Sequence, residues 1–173
     1  MDLSLTAEQR QIRDMVEEFV DEEVKPVAGE IDETDEVPWD LIEQMSDLGL
    51  MGMPFPEEYD GAGLDYHSYA LALSEIARGS GGLGTIVAAH TSLASNMVYH
   101  YGSESQKQTY LAPLNRGDEI GAFALSEAGA GSDVPAMTTT AEKDGDEYVL
   151  NGGKLWISNG SIADTVTVFA VTD

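Results

Sequence analysis

The stretch AFALSEAGAGSDVPA, Ala122 to Ala136, sets two glycines, a serine and an acid close together after a short apolar run. Successive backbone N–H groups in a glycine-containing turn form a concave nest that binds anions. Gly129 and Gly131 tolerate positive φ and close approach, and Ser132 adds a hydroxyl donor. A phosphate or pyrophosphate is the natural guest. The common phosphate fingerprints do not match, because no Gly-Lys-Ser/Thr closes the run and the third glycine of the dinucleotide motif is absent. From spacing alone, a tight turn between strands accounts for these glycines equally well.

A second stretch, KLWISN at Lys154 to Asn159, alternates Leu155 and Ile157 with Trp156 and Ser158. On a strand this alternation puts the indole and the hydroxyl on one face, where they can pack beside a planar heterocycle. A buried tryptophan next to a strand serine is the plainer reading of the same residues. The chain has no cysteine, which excludes disulfides, thiolate nucleophiles and cysteine-ligated metals. His67, His90 and His100 share no metal-ligand spacing, so no metal site is expected.

Charge narrows the partners. The 173 residues carry 32 acids against 8 basic residues, a net charge of -24. Such a surface repels nucleic acid and anionic lipid. The acids are spread along the helices, as on a solvated surface that resists association in concentrated salt, and we read them as a halophile's adaptation. An acidic docking face for a basic partner is the alternative. The start, MDLSLTAEQR, lacks the basic and apolar regions of a secretory signal, and no apolar run approaches the ~20 residues that span a bilayer. A soluble, cytoplasmic protein is the expectation.

These motifs must be positioned by a chain that changes period part-way along. TAEQ at Thr6 to Gln9 reads as a capping box, followed by Ile12, Met15, Val16, Phe19 and Val20 at helical spacing. Pro26 and Gly29 weaken the far end of that helix. A short helix is predicted from Pro38, as first helical residue, to just before Gly49, with Leu41, Ile42, Met45 and Leu48 buried. After a Pro- and Gly-rich loop at 53–65, a third helix is predicted over Tyr66 to Arg78 and a fourth over Leu83 to Tyr101. SESQ at Ser103 to Gln106 caps a fifth that ends near Gly117. IGAFALS, AMTTTAE, two runs within KDGDEYVLNGGKLWISNG, and TVTVFAVTD then read as strands. The fold class is α+β: an all-α helical domain over 1–118, then an incomplete antiparallel β-barrel-like domain over 119–173. The closing apolar strand, with nothing to cover it, suggests that further chain or a partner completes the sheet.

Taken together, several motifs in order resemble the acyl-CoA dehydrogenase family along the whole chain. They are LTAEQRQIRDMVEEFVDEEVKP, LGLMGMPFPEEYDGAGLD, SEIARGSGG, YGSESQKQTYLAPLNRGDEIGAFALSE, FALSEAGAGSD and NGGKLWISNG. Ala62 and Ala128 depart from the family's usual glycine and proline. The resemblance implies that FAD is wrapped by Phe123 to Ser132, with Leu125 and Ser126 at the pyrimidine edge and Gly131 and Ser132 at the pyrophosphate. Ser132 would also reach the acyl-CoA. Trp156 and Ile157 would lie beside the isoalloxazine, and the Ser158 hydroxyl would face N5, where the family more often uses threonine. The fourth helix would border the acyl chain, with His90 expected as a satisfied core residue rather than a pocket lining.

The family's reaction is α,β-dehydrogenation of an acyl-CoA thioester in fatty acid or amino acid catabolism, with electrons passed to an electron-transfer flavoprotein. Its proton-abstracting glutamate sits in a C-terminal helical domain, so no catalytic residue is expected in this chain. Glu127 is the only tempting substitute, and the resemblance places it in the loop framework. The expected protein is the N-terminal portion of a flavoenzyme, inactive alone, acting as a homo-oligomer or with a complementing C-terminal half. A non-catalytic helical module that binds a partner is the competing class.

Overall fold

The structure, a computed structural model, describes residues 4–172. Its helical part begins as the capping box requires. Gln9 N donates to Thr6 Oγ1 at 3.1 Å while Thr6 N donates to Gln9 Oε1 at 3.0 Å. This starts α1, Ala7–Phe19, whose Val16 and Phe19 are buried. A π-helical turn, Val20–Val24, continues it and buries both valines, which lengthens the apolar stripe by one residue, Val24. A helix that the sequence did not suggest, α2 at Ala28–Thr34, follows Pro26 and ends on Asp35 in the left-handed region at φ 55°. Its interior residue Gly29 meets no neighbour that would select a larger side chain.

Pro38 is the N-cap of α3, Trp39–Asp47, so the helix begins one residue later than expected. Asp65 caps α4, Tyr66–Gly79, accepting from Ser68 N at 2.7 Å, and also receives Gln9 Nε2 at 2.9 Å. One carboxylate thereby starts a helix and ties it to α1. The helix ends at Gly79, where a Cβ would lie 2.6 Å from Val20 Cγ1, so glycine lets the two segments touch. Ser80 caps α5, Gly81–Ala88, which runs through a π segment, Ala89–Ser95, into α6, Asn96–Tyr101. Then come α7, Glu104–Gln106, a π segment, Lys107–Leu111, and α8, Ala112–Arg116, closed by Gly117 at φ 75°. Val16, Val20, Met45, Met51, Ile76 and Leu83 form the centre of the main core, each contributing about 2 kcal/mol of burial.

Four strands follow: β1, Gly121–Ala124; β2, Thr140–Asp144; β3, Glu147–Asn151; and β4, Thr165–Val168. β2 and β3 form an antiparallel hairpin about Gly145, in the left-handed region at φ 63°. β1 and β4 pair in parallel with Gly121 opposite Thr165, which differs from the antiparallel arrangement expected. The reason is topological. The long excursion between them, hairpin included, returns the chain to the end of β1 where it started, and a parallel pair needs such a crossover. Among the described residues the two pairs form no closed barrel. No described helix is long and apolar enough to cross a membrane.

Candidate functional site

The two singled-out stretches meet at one place. β1 runs out into Leu125 and Ser126, and the chain comes back at Lys154 and Leu155. Leu155 N donates to Ser126 O at 2.9 Å, and Lys154 Nζ donates to Leu125 O at 2.9 Å. A recess of about 220 Å³ opens beside this crossing. Phe123, Leu125 and Ser126 form its floor, and Trp156, Ile157 and Ser158 its lip. Ala89 and Leu93, from the π segment after α5, form the opposite wall. Phe123 is propped from behind by the ring of Phe169, centroids 5.1 Å apart.

KLWISN is not a strand. Trp156 sits at φ 58° and Asn159 at φ 64°, both in the left-handed region, and Ile157–Gly160 closes a turn. The expected alternation therefore does not hold. The backbone twists at Trp156, and the turn delivers Trp156 and Ser158 together to the lip. A bulky residue in this conformation costs about 1–2 kcal/mol, and such strain concentrates at functional sites. Trp156 is also 86% exposed, so its indole is a large apolar plane left largely uncovered among the described residues. Asn159 holds the turn in place. Its Nδ2 donates to Ile86 O at 3.0 Å and to Gly121 O at 3.1 Å, joining the turn to α5 and β1 at once.

Six of the expected residues are thus brought together: Phe123, Leu125, Ser126, Trp156, Ile157 and Ser158. Gly131 and Ser132 are exposed and do not line the recess. Neither Gly129 nor Gly131 adopts positive φ, contrary to the expectation for an anion nest. The turn is made by Glu127 and Ala130, whose backbones exchange two hydrogen bonds at 2.9 and 3.1 Å. Open space faces both glycines, with nothing within 4 Å of a Cβ at either, so their backbones remain approachable.

Glu127 lies under this turn, 5% exposed. Its carboxylate accepts from Lys154 Nζ at 2.8 Å, Thr138 N at 2.7 Å, Thr138 Oγ1 at 2.9 Å and Thr139 N at 3.0 Å. The Lys154 ammonium first, then the hydrogen bonds from Thr139 and Thr138, hold its pKa far below the ordinary carboxylate range. A carboxylate so engaged is a poor proton acceptor. His90 is buried, with Nδ1 accepting from Gly121 N at 3.0 Å and Nε2 donating to Leu114 O at 3.0 Å. Burial pushes its pKa down to about 4, although the Leu114 carbonyl opposes the shift. It is a satisfied core histidine that joins α8 to β1. Lys154 and Asn159 are not among the residues expected at the site, whereas Glu127 lies in the loop framework as the resemblance implies. The only sequence signal of the first two is polarity inside one motif, since their partners lie far away along the chain.

Among the described residues no group of three or more His, Cys, Asp or Glu could hold a metal ion. A larger groove, about 450 Å³ between α6 and β4, is lined by Met97, Val98, Tyr101, Tyr110, Val168 and Phe169 and has no charged side chain. The smaller recess is where an exposed aromatic plane and two hydroxyls converge. It suits a flat heterocycle that accepts hydrogen bonds along its edge.

Comparison with known proteins gives the same location a context. The family model for the acyl-CoA dehydrogenase N-terminal domain matches residues 6–118, and that for the acyl-CoA dehydrogenase middle domain matches 122–173. The short-chain specific acyl-CoA dehydrogenase of Clostridium acetobutylicum is 49% identical over 173 residues, 100% of this chain and 46% of its own length. Butyryl-CoA dehydrogenase from Megasphaera elsdenii superposes with TM-score 0.94 at 37% identity, over 100% of this chain and 46% of that one. A glutaryl-CoA dehydrogenase from Mycobacterium smegmatis, in complex with FADH2, superposes with TM-score 0.92 at 40% identity, over 98% of this chain and 44% of that one. The chain spans about half the length of the relatives it matches.

Proposed function

Because this chain belongs to the acyl-CoA dehydrogenase family, we propose that it supplies the flavin-facing half of an FAD-dependent acyl-CoA dehydrogenase. The observation that carries the reading is the recess in which the Ser126 loop and the Trp156 turn face one another across about 220 Å³. Its residues fit the isoalloxazine. The uncovered Trp156 indole offers a stacking plane, and the hydroxyls of Ser126 and Ser158 offer donors to the ring's heteroatoms. Gly131 and Ser132, open to solvent, are available to the pyrophosphate.

When bound, FAD takes up the hydride that leaves the β-carbon of an acyl-CoA thioester. This chain's residues orient and shield that exchange. Ser158 is the donor we assign to the N5 side. Ala89 and Leu93 line the wall where the acyl chain lies and keep water from it. Ser132 is assigned to the CoA side. The α-proton goes to a base supplied by another part of the enzyme, because Glu127 already accepts four hydrogen bonds and is held ionised beneath the loop. An electron-transfer flavoprotein is the proposed electron acceptor. We further propose that residues 1–118 and 119–173 act as separate helical and β units, and that the acidic surface adapts the protein to concentrated salt.

The test is titration of this chain with FAD, followed by co-expression with a C-terminal half from a relative. Flavin uptake, and bleaching of the flavin on adding a short acyl-CoA to the completed protein, is the expected result. Uptake without bleaching points to a non-catalytic module, and no uptake in either form overturns the reading.

A further inference from the structure

Lys154 and Glu127 stand apart from the other ion pairs. Their side chains are 10% and 5% exposed, whereas the partners of the remaining pairs lie at or near the surface. Burying two opposite charges gains little stability, because desolvation offsets most of their attraction. Their placement is better explained by what they hold.

Lys154 spends two donors at once, on Glu127 Oε1 at 2.8 Å and on Leu125 O at 2.9 Å. The next residue, Leu155, donates its N–H to Ser126 O at 2.9 Å. Two adjacent carbonyls of the recess floor are therefore fixed by two adjacent residues of the returning chain. Glu127 in turn is anchored to Thr138 and Thr139, at the start of β2. The Leu125 carbonyl and the Ser126 N–H belong to one planar peptide and point in opposite directions. A cation bound to that carbonyl draws electron density from the whole unit and makes the N–H a stronger donor. The Ser126 N–H has no partner among the described residues, and Ser126 lines the recess.

We propose that Lys154, oriented by Glu127, is a positioning residue that fixes and polarises the Leu125–Ser126 peptide toward the edge of the bound flavin. The proposal rests on the reading that the recess holds FAD. A pyrimidine edge gains negative charge when the ring is reduced, so a strengthened, preorganised donor favours the reduced form. Lys154 thus acts on the redox balance of the site through a carbonyl, without touching the ring.

The test uses this chain with and without FAD, as wild type, K154M, K154R and the double variant E127Q/K154M. Without FAD, amide hydrogen exchange at Leu155 should quicken about tenfold in K154M, one hydrogen bond's worth, while amides of α4 and α5 keep their protection. With FAD bound, the preference of K154M for reduced over oxidised flavin should fall about tenfold, a midpoint ~30 mV more negative for a two-electron couple. K154R should restore most of both. The double variant leaves no buried ion unpaired and decides the question if K154M does not fold. Unchanged potential and unchanged exchange overturn the positioning role while leaving the recess reading intact. A wild-type chain that takes up no FAD, either alone or completed by a C-terminal half, overturns the recess reading and the flavin role of Lys154 with it.

Discussion

Leu155 N meets Ser126 O at 2.9 Å, and this bond joins the two chemically suggestive stretches of the sequence. Alone, the first stretch reads as an ordinary turn and the second as an ordinary strand. Joined, they enclose a recess with a strained tryptophan on its lip, and the consequences can be measured.

Trp156 in the left-handed region should reveal its strain by substitution. Trp156→Gly should be more stable than Trp156→Ala by about 1 kcal/mol, the reverse of the usual order, because only glycine adopts φ 58° without penalty. Both variants should bind FAD at least about tenfold more weakly than wild type, the loss of one aromatic stacking contact. Denaturant unfolding and fluorescence titration check the two halves. Unchanged FAD affinity removes Trp156 from the site.

Asn159 should matter for stability and site geometry together. Asn159→Ala loses the bonds to Ile86 O and Gly121 O and replaces a residue type that tolerates φ 64° with one that does so less readily, for a cost of about 2 kcal/mol. Asn159→Gly relieves the backbone component, so it should recover about half of that stability. It should not recover FAD binding, since the turn is no longer tied to α5. Thermal unfolding of the pair separates the contributions.

His90 predicts an acid-sensitive fold. Its pKa in the folded chain is about 4, below the ordinary histidine value near 6.5, so the unfolded chain binds the extra proton first. Its contribution is fully present above pH 6.5 and is lost as pH falls from 6.5 toward 4, amounting to at most about 3 kcal/mol. Protonating Nδ1 abolishes the acceptor that Gly121 N uses. His90→Gln should be less stable at neutral pH and should flatten the difference in unfolding free energy between pH 7 and pH 4.5. Equal slopes for variant and wild type refute the assignment.

Salt should stabilise this protein and tighten its grip on an anionic cofactor. Five of the eight basic side chains are already in ion pairs, which leaves most of the 32 acids without a counter-charge from the chain. The Debye length falls from about 10 Å at 0.1 M to about 3 Å at 1 M salt, weakening the repulsion among these acids. The urea midpoint and the FAD affinity should both rise across that range. A flat response would leave the acidic surface to a basic partner instead.

The helical part was largely legible from local chemistry. Thr6 and Gln9 announce α1, Ser103 and Gln106 announce α7, and most apolar residues of the first two helical stripes are buried in the core, although Met15 and Leu48, the latter expected buried, are exposed. α2 was hidden because Pro26 and Gly29 read as breakers, yet they precede and open a short helix rather than interrupt a long one. The site was half legible. Trp156 stands out by its type and Ser126 only through the family resemblance, and the alternation around Trp156 suggests a strand where the backbone turns. What imposes that turn, Asn159 binding Ile86 and Gly121 across 73 and 38 residues, is tertiary and leaves no local trace. The same holds for Lys154 and Glu127, and for the parallel pairing of β1 with β4.

That parallel pairing has a kinetic side. Ile120 N reaches Asp164 Oδ2 across 44 residues to open the β1–β4 ladder, whereas each helix closes its own bonds within a single turn. Distant closures are slow and local ones fast. In stopped-flow refolding of a Trp39→Phe variant, the Trp156 signal should lag far-ultraviolet ellipticity. The cofactor would then meet a ready-made helical wall and itself hasten the final closure.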